Sequence, residues 1–304
     1  MLLLLIACSH DFGLESMQDP TASPWNDTRT EADTGEPLDT APPEEEEIPE
    51  EETQEEEEEE PVQEDPAPED DCEGTSDLIY VVSRSDESLY LFDPDTLSFE
   101  RQGALECDWI SSPSSMAVAR DGVAYVRYSD DSVYEVNLET MACSPTSYSS
   151  GSFGSFGMGF ASDDADTWRD QLYVANDSQV ASVDTATWKR SILTTLPSQS
   201  ELTGNGKGEL WAFLPLESPA QVARIDLGGS GIVERVKLPG FPSPYDIDAF
   251  AFANWDGAFY LFVREFGMGS STDVYEVNGS TMTKVMSDVG FDVVGAGVST
   301  CAPS

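Results

Sequence analysis

Residues 293–301 read Val-Val-Gly-Ala-Gly-Val-Ser-Thr-Cys. Gly295 and Gly297 stand two apart, and in an extended chain positions i and i+2 face the same way. Glycine weakens a strand unless another backbone comes close to it, so this segment reads as a strand with one crowded face. Small residues recur at the same spacing at Ala117/Ala119, Gly157/Gly159, Gly204/Gly206 and Ala251/Ala253. Each of those pairs precedes an apolar run with an aromatic inside it: Val123–Val126, Gln171–Val174, Glu209–Phe213 and Ala258–Phe262. One more such run, Leu78–Val82, has no small-residue segment before it, while the segment at 293–299 has no run after it. The tail is therefore expected to pair with Leu78–Val82 and to close a ring.

A further strand follows each aromatic run and ends in an apolar residue plus Asp or Asn, at Asp93, Asn137, Asp184, Asp226 and Asn278. These positions are 44, 47, 42 and 52 residues apart. Asp and Asn suit the start of a turn, because their side chains bond the backbone just beyond. A period of 40 to 50 residues holding about four short strands is the signature of a β-propeller blade. No window sustains a helical period, since Gly, Ser and Thr interrupt every one. The expected fold is all-β: five four-stranded blades over residues 72–304, with the C-terminal strand as the latch. Asn205 is the one polar residue standing between two small ones.

The 304 residues carry 14 Lys+Arg and 59 Asp+Glu, a net charge of -45. Residues 1–71 hold 26 acids and one base, Arg29, and the remaining 233 residues hold 33 acids and 13 bases. Such a chain repels phosphate backbones and anionic lipid, which excludes sequence-independent nucleic-acid binding and polybasic membrane docking. The single histidine, His10, lies in the acidic head, so the folded part has no imidazole for a triad, a proton relay or a metal site. No phosphate-cradling Gly-rich loop precedes a helix, and no cofactor motif is present. The expected state is a monomer without metal or cofactor.

Residues 9–71 contain Glu44–Glu47, Glu50–Glu52 and Glu55–Glu60, broken by prolines such as Pro49 and Pro61. Blocks of like charge and low hydrophobicity keep such a segment from building a core. It is read as a disordered spacer, spanning roughly 45 Å as a flexible chain and more under self-repulsion.

Residues 1–8 read Met-Leu-Leu-Leu-Leu-Ile-Ala-Cys, too few apolar residues to span a bilayer. Leu5-Ile6-Ala7-Cys8 resembles the lipobox of bacterial lipoproteins. The resemblance implies cleavage before Cys8, a diacylglycerol on its thiol and stable anchoring by more than one acyl chain. No Lys or Arg precedes the apolar run, so a start codon further upstream is expected. Ser9, in place of an aspartate after the lipidated cysteine, implies the outer membrane of a Gram-negative cell. The tail Val294–Cys301 is similar to that of a family of such lipoproteins, and membership implies location and architecture but no activity.

Four further cysteines follow, Cys72, Cys107, Cys143 and Cys301. An even number beyond an export signal points to two disulfides. If the tail strand joins the first blade, Cys301 ends the innermost strand and meets Cys72, leaving Cys107 to pair with Cys143.

Any ligand is expected on the face formed by loops leading into the innermost strands. These loops carry Asp108 and Trp109, Phe156, and Tyr245 and Asp246, with Phe266 in a long neighbouring segment. Two roles stay open for the rings: flat faces for a ligand, or packing between blades. The ligand expected is a glycan or an envelope protein. An alternative is a glycoside hydrolase working through paired carboxylates, with Asp108, Glu201, Asp246 and Asp248 near the starts of inner strands. A third possibility is a structural display protein with no ligand.

The lipobox reading predicts that Cys8→Ser releases the protein into a soluble fraction or accumulates an unprocessed precursor. Cell fractionation with mass spectrometry of the N-terminus checks it; a membrane-bound, correctly processed variant defeats it.

Overall fold

The computed structural model describes residues 72, 75–108, 110–163, 169–267, 269 and 271–304. The segment with Cys8, the acidic linker and Trp109 lie outside the described residues.

Among the described residues, twenty strands form five sheets. The chain enters at β1 (Ile79–Ser83), β2 (Ser88–Asp93) and β3 (Ser98–Ala104). Blade two follows as β4 (Pro113–Val118), β5 (Val123–Tyr128), β6 (Val133–Asn137) and β7 (Cys143–Pro145). Blade three comprises β8 (Gly157–Ser162), β9 (Asp170–Ala175), β10 (Gln179–Asp184) and β11 (Lys189–Thr195). Blade four is β12 (Glu201–Gly204), β13 (Leu210–Leu214), β14 (Ala220–Asp226) and β15 (Gly231–Leu238). Blade five is β16 (Ile247–Trp255), β17 (Ala258–Glu265), β18 (Thr272–Asn278) and β19 (Thr281–Met286). The last strand, β20 (Val293–Gly297), pairs antiparallel with β1 and completes blade one in the order β20-β1-β2-β3. The fold is a five-bladed β-propeller closed by its C-terminal strand.

Hydrophobic burial is distributed over five seams, one between each pair of neighbouring blades. The central strands feed two seams at once because alternate side chains point to opposite faces. In β1, Ile79 and Val81 pack toward blade five, whereas Tyr80 and Val82 pack toward blade two. In β17, Phe259, Leu261 and Val263 face blade four, while Tyr260 and Phe262 face blade one. This explains why these strands read as continuous apolar runs. Phe92 meets Phe262 edge-on at 5.4 Å across the closing seam, and burying one such ring contributes about 1.5–3 kcal/mol. The outermost strands are polar and exposed, as in Ser98–Ala104 with Glu100, Arg101 and Gln102, and charges on such an edge discourage pairing with another chain.

The Asp and Asn residues start turns. Asp93 accepts from the amides of Asp95 and Thr96, Asn137 from Thr140, and Asp184 from Ala186 and Thr187. Asn205 acts likewise, its Oδ1 accepting from the amides of Lys207 and Glu209. The innermost glycines sit where backbones nearly touch. A Cβ on Gly295 would lie 2.7 Å from Met116 N, and one on Gly159 would lie 2.8 Å from Leu202 O.

Disulfides join Cys72 to Cys301 and Cys107 to Cys143, with Cα–Cα separations of 5.9 and 5.1 Å. The first ties the start of the domain to the end of the latch. Beside it Arg120 reaches from blade two to Asp170 at 2.8 Å and Thr300 at 2.9 Å, and Thr300 Oγ1 donates to Asp170 at 2.7 Å. Both charged side chains are buried, so removing one partner strands the other.

Deleting residues 293–304 should abolish cooperative thermal unfolding and yield aggregate, because β1 loses its inner neighbour. Arg120→Met should cost about 3–5 kcal/mol in chemical denaturation, by leaving Asp170 charged and unpaired. An unchanged midpoint in either variant contradicts this view of closure.

Candidate functional site

The loops before the innermost strands and the turns between second and third strands open onto one face. Four large apolar side chains stand exposed there: Ile110 (78%), Leu216 (37%), Tyr245 (91%) and Phe266 (65%). Ile110 precedes blade two and Leu216 belongs to blade four, while the Tyr245 and Phe266 loops both border blade five and are joined, since the Phe266 amide donates to the Asp246 carbonyl at 2.7 Å. Tyr245 is held in a short 3-10 turn (Pro244–Asp246), where the Ser243 hydroxyl accepts from the Tyr245 amide and Pro244 fixes the first φ. Aromatics locked on short rigid loops can stack on a ligand with little entropy to lose.

Beneath Tyr245 runs an open groove of about 910 Å³, walled by Leu216–Ala220 and Gly240–Tyr245. Its polar side chains are Glu217, Ser218, Ser243 and the Tyr245 hydroxyl, and its lining contains no Lys, Arg or His. Phe241 also lines it, edge-on to Phe213 at 5.4 Å.

A smaller pocket of about 190 Å³ lies where the innermost strands begin, and Glu201 and Asp248 both line it. Glu201 is buried, and its Oε2 accepts from the Ser115 hydroxyl at 2.8 Å. Burial pushes its carboxyl well above the ordinary carboxylate range; the Ser115 hydrogen bond, the Arg127 charge and the Met158 amide offset this only in part. Gly157 makes room for it, as a Cβ there would lie 2.8 Å from Glu201 Cδ. Asp248 behaves oppositely. Burial raises its carboxyl, but hydrogen bonds and charge from Arg84 and Arg264 outweigh that and hold it below its usual value. Arg84 meets Asp248 at 2.8 Å, Arg264 pairs with the same carboxylate, and Arg264 Nε reaches Asp292 at 2.9 Å.

The other residues singled out from the sequence are scattered. Phe156 is buried in the seam between blades two and three, edge-on to Tyr148 at 5.3 Å with the Arg127 guanidinium 5.2 Å over its ring. It offers no free face, so for this ring the packing role holds. Asp108 folds back on its own loop, accepting from the amides of Ile110 and Ser111 and from the Ser111 hydroxyl. Asp246 is exposed and follows Tyr245 in the 3-10 turn. Of the four carboxylates proposed for hydrolysis, only Glu201 and Asp248 come together. The groove around Leu216–Ala220 was missed by sequence reasoning; Glu217-Ser218-Pro219, a proline turn between two strands, was the available signal.

The sequence matches no protein-family model and no curated protein. Among solved structures, the chain is similar to an exo-β-1,3-galactanase from Phanerochaete chrysosporium crystallised with β-1,3-galactotriose. That likeness has 8% identity and a TM-score of 0.40, covering 57% of this chain and 49% of the other. It is also similar to the extracellular domain of a hybrid two-component system from B. thetaiotaomicron, with 9% identity and a TM-score of 0.38, covering 69% of this chain and 26% of that one. The chain thus spans about half the length of the first and a quarter of the second. At these levels neither likeness speaks to chemistry.

Because the Glu201 carboxyl is raised above its ordinary value of 4.5, its protonated form favours the fold. That contribution is complete below 4.5 and is lost as pH rises through the folded value. Glu201→Gln keeps an acceptor for Ser115 without an ionisable proton. The melting temperature of the variant relative to the parent should therefore climb as pH rises from 4.5 toward the folded value and level off beyond it. A difference that stays flat across this range shows that Glu201 does not titrate abnormally.

Proposed function

We propose that this protein is a lipid-anchored envelope component whose propeller binds neutral, polyhydroxylated ligands, glycans above all, on the loop face. The observation carrying this reading is the groove under Tyr245: an exposed ring on a proline-fixed turn, flanking hydroxyls, one carboxylate and no Lys, Arg or His. A sugar ring offers an apolar face to stack on tyrosine and hydroxyls to donate to Glu217 or exchange with Ser218 and Ser243. The arginines described on this face, Arg84, Arg127 and Arg264, are engaged with aspartates, which disfavours anionic ligands. The acidic linker serves the same function as a spacer, holding the binding face clear of the anionic surface to which Cys8 would tether it.

A second reading, a carboxylate-dependent glycoside hydrolase, draws on Glu201 and Asp248, which line one pocket and are pushed in opposite directions. The double arginine clamp on Asp248 counts against it, because a carboxylate so neutralised is a poor nucleophile or base.

Glycan-array screening of the full chain should give hits among neutral oligosaccharides. Tyr245→Ala should weaken them by about tenfold or more, with an unchanged melting temperature. Hits confined to sulfated or sialylated glycans, or affinity untouched by Tyr245→Ala, would remove the groove as the site. Release of sugar from a hit, lost in Glu201→Gln, would move the conclusion to the hydrolase.

A further inference from the structure

Two exposed rings of the loop face rise from adjoining backbones. Ile247, at the start of β16, pairs with Glu265, at the end of β17. One residue further out, the Phe266 amide donates to the Asp246 carbonyl at 2.7 Å. The pairing within blade five therefore runs up to the foot of Tyr245, which precedes Asp246 in the 3-10 turn. Among the described residues, neither Tyr245 nor Phe266 packs on another aromatic ring, and both stand mostly in solvent. Phe241, in the same groove, is different: it meets Phe213 at 5.4 Å and Tyr275 at 5.5 Å. A single exposed apolar side chain is ordinary on a protein surface. Two unstacked rings on one braced pair of loops, one of them over a groove, form a platform.

We propose that the site extends from the groove onto Phe266 and takes an internal stretch of a linear, neutral oligosaccharide, one sugar ring stacking on Tyr245 and another, further along, on Phe266. The inference rests on the glycan reading for the class of ligand and adds the ligand's length and a second, specificity-determining contact. The groove is too large for one sugar. With about 910 Å³ it lies near the top of the roughly 300–1,000 Å³ range of sites for drug-sized ligands. A monosaccharide would leave most of that space to water, whereas a chain of about three or four rings fills it. Its lining holds no Lys, Arg or His that would select a charged chain end. Phe266 stands outside that lining, so its ring is met only by a chain long enough to leave the groove. Both platforms are set in advance, one by Pro244 and the other by the pairing of β16 with β17, and a ligand has little backbone to order on arrival. Along the way Glu217, Ser218 and Ser243 offer partners for sugar hydroxyls, which both donate and accept.

The test is calorimetry on the full chain with cello-, laminari-, manno- and xylo-oligosaccharides, each series running from monosaccharide to hexasaccharide. Decaproline serves as a further probe, because a groove lined by aromatics and prolines also fits an extended proline-rich peptide. In at least one sugar series affinity should rise by about tenfold or more between disaccharide and hexasaccharide. Reducing the terminal sugar with borohydride should leave the hexasaccharide's affinity unchanged. Tyr245→Ala should weaken every length that binds. Phe266→Ala should weaken the longest chains by about fivefold or more, leave the shortest binders unchanged and keep the parental melting temperature. Phe266→Tyr, which keeps a ring, should bind like the parent. The extension falls, and the glycan reading stands, if a disaccharide binds as tightly as the hexasaccharide, if Phe266→Ala is silent at every length, or if reduction of the chain end abolishes binding. Both fall if no sugar series binds or if decaproline alone does. A concentration-dependent dimer in sedimentation, lost in Phe266→Ala, identifies the ring as a contact between copies and overturns the extension.

Discussion

The pairing of β20 with β1 is the contact on which the remaining structure depends. Five sheets arranged around an axis leave two raw faces unless the last meets the first, and each seam here is a hydrophobic layer shared by two blades. Without β20, β1 has an open edge and the seam between blades five and one loses Val293 and Ala296. Closure is reinforced by unlike means at either end of the latch. Val293 N donates to Thr272 Oγ1 in blade five, and beyond Gly297 the Cys72–Cys301 bond and the Arg120–Asp170–Thr300 cluster hold the chain end. A non-covalent strand pairing contributes little against the entropy of a tail unless such contacts fix both its ends.

Crowding at the axis follows from closure and in turn produces the pocket. Because five innermost strands converge, one face of each must be small, and Gly157, Gly159, Gly295 and Gly297 supply backbone-to-backbone approach. Where a strand begins, the chains splay apart and the small stripe stops. Glu201 lies at that transition, its carboxyl under Gly157 and its Oε2 on Ser115 of the neighbouring blade. A carboxyl placed there is desolvated by the same packing that makes the ring rigid.

Architecture was legible in the sequence because closure and crowding both leave periodic marks. The glycine and alanine pairs, the aromatic runs and the turn-starting Asp and Asn residues recur once per blade, and the orphan segment at 293–299 told which blade lacked its inner strand. The cysteine pairing followed from that topology once the tail was assigned to blade one. The loop face was less legible. Phe156 and Tyr245 look alike in sequence, each an aromatic in a Ser-, Gly- or Pro-rich loop. One is sealed in a seam by Tyr148 and Arg127, and the other stands almost free on a 3-10 turn. Nothing local separates them, because burial depends on the neighbouring blade. The carboxylates are similar: Asp108, Asp246, Asp248 and Glu201 all precede or begin inner strands. Only three-dimensional neighbours make one a loop cap, one a surface group, one an arginine-clamped anion and one a buried acid.

The charge of the domain takes on a specific meaning once these partners are known. An excess of 20 negative charges over residues 72–304 would by itself suit any cation. On the loop face, however, the aspartates nearest the axis are spent on arginines: Arg84 and Arg264 share Asp248 and Asp292, and Arg127 holds Asp131. What these pairs leave open is a set of apolar rings, prolines and hydroxyls with few formal charges among them. Long-range repulsion then turns away anions, while the local surface gives a cation little to grip beyond Glu217 and Asp246. That balance is the physical basis for proposing a ligand rich in hydroxyl groups and poor in charge for this face.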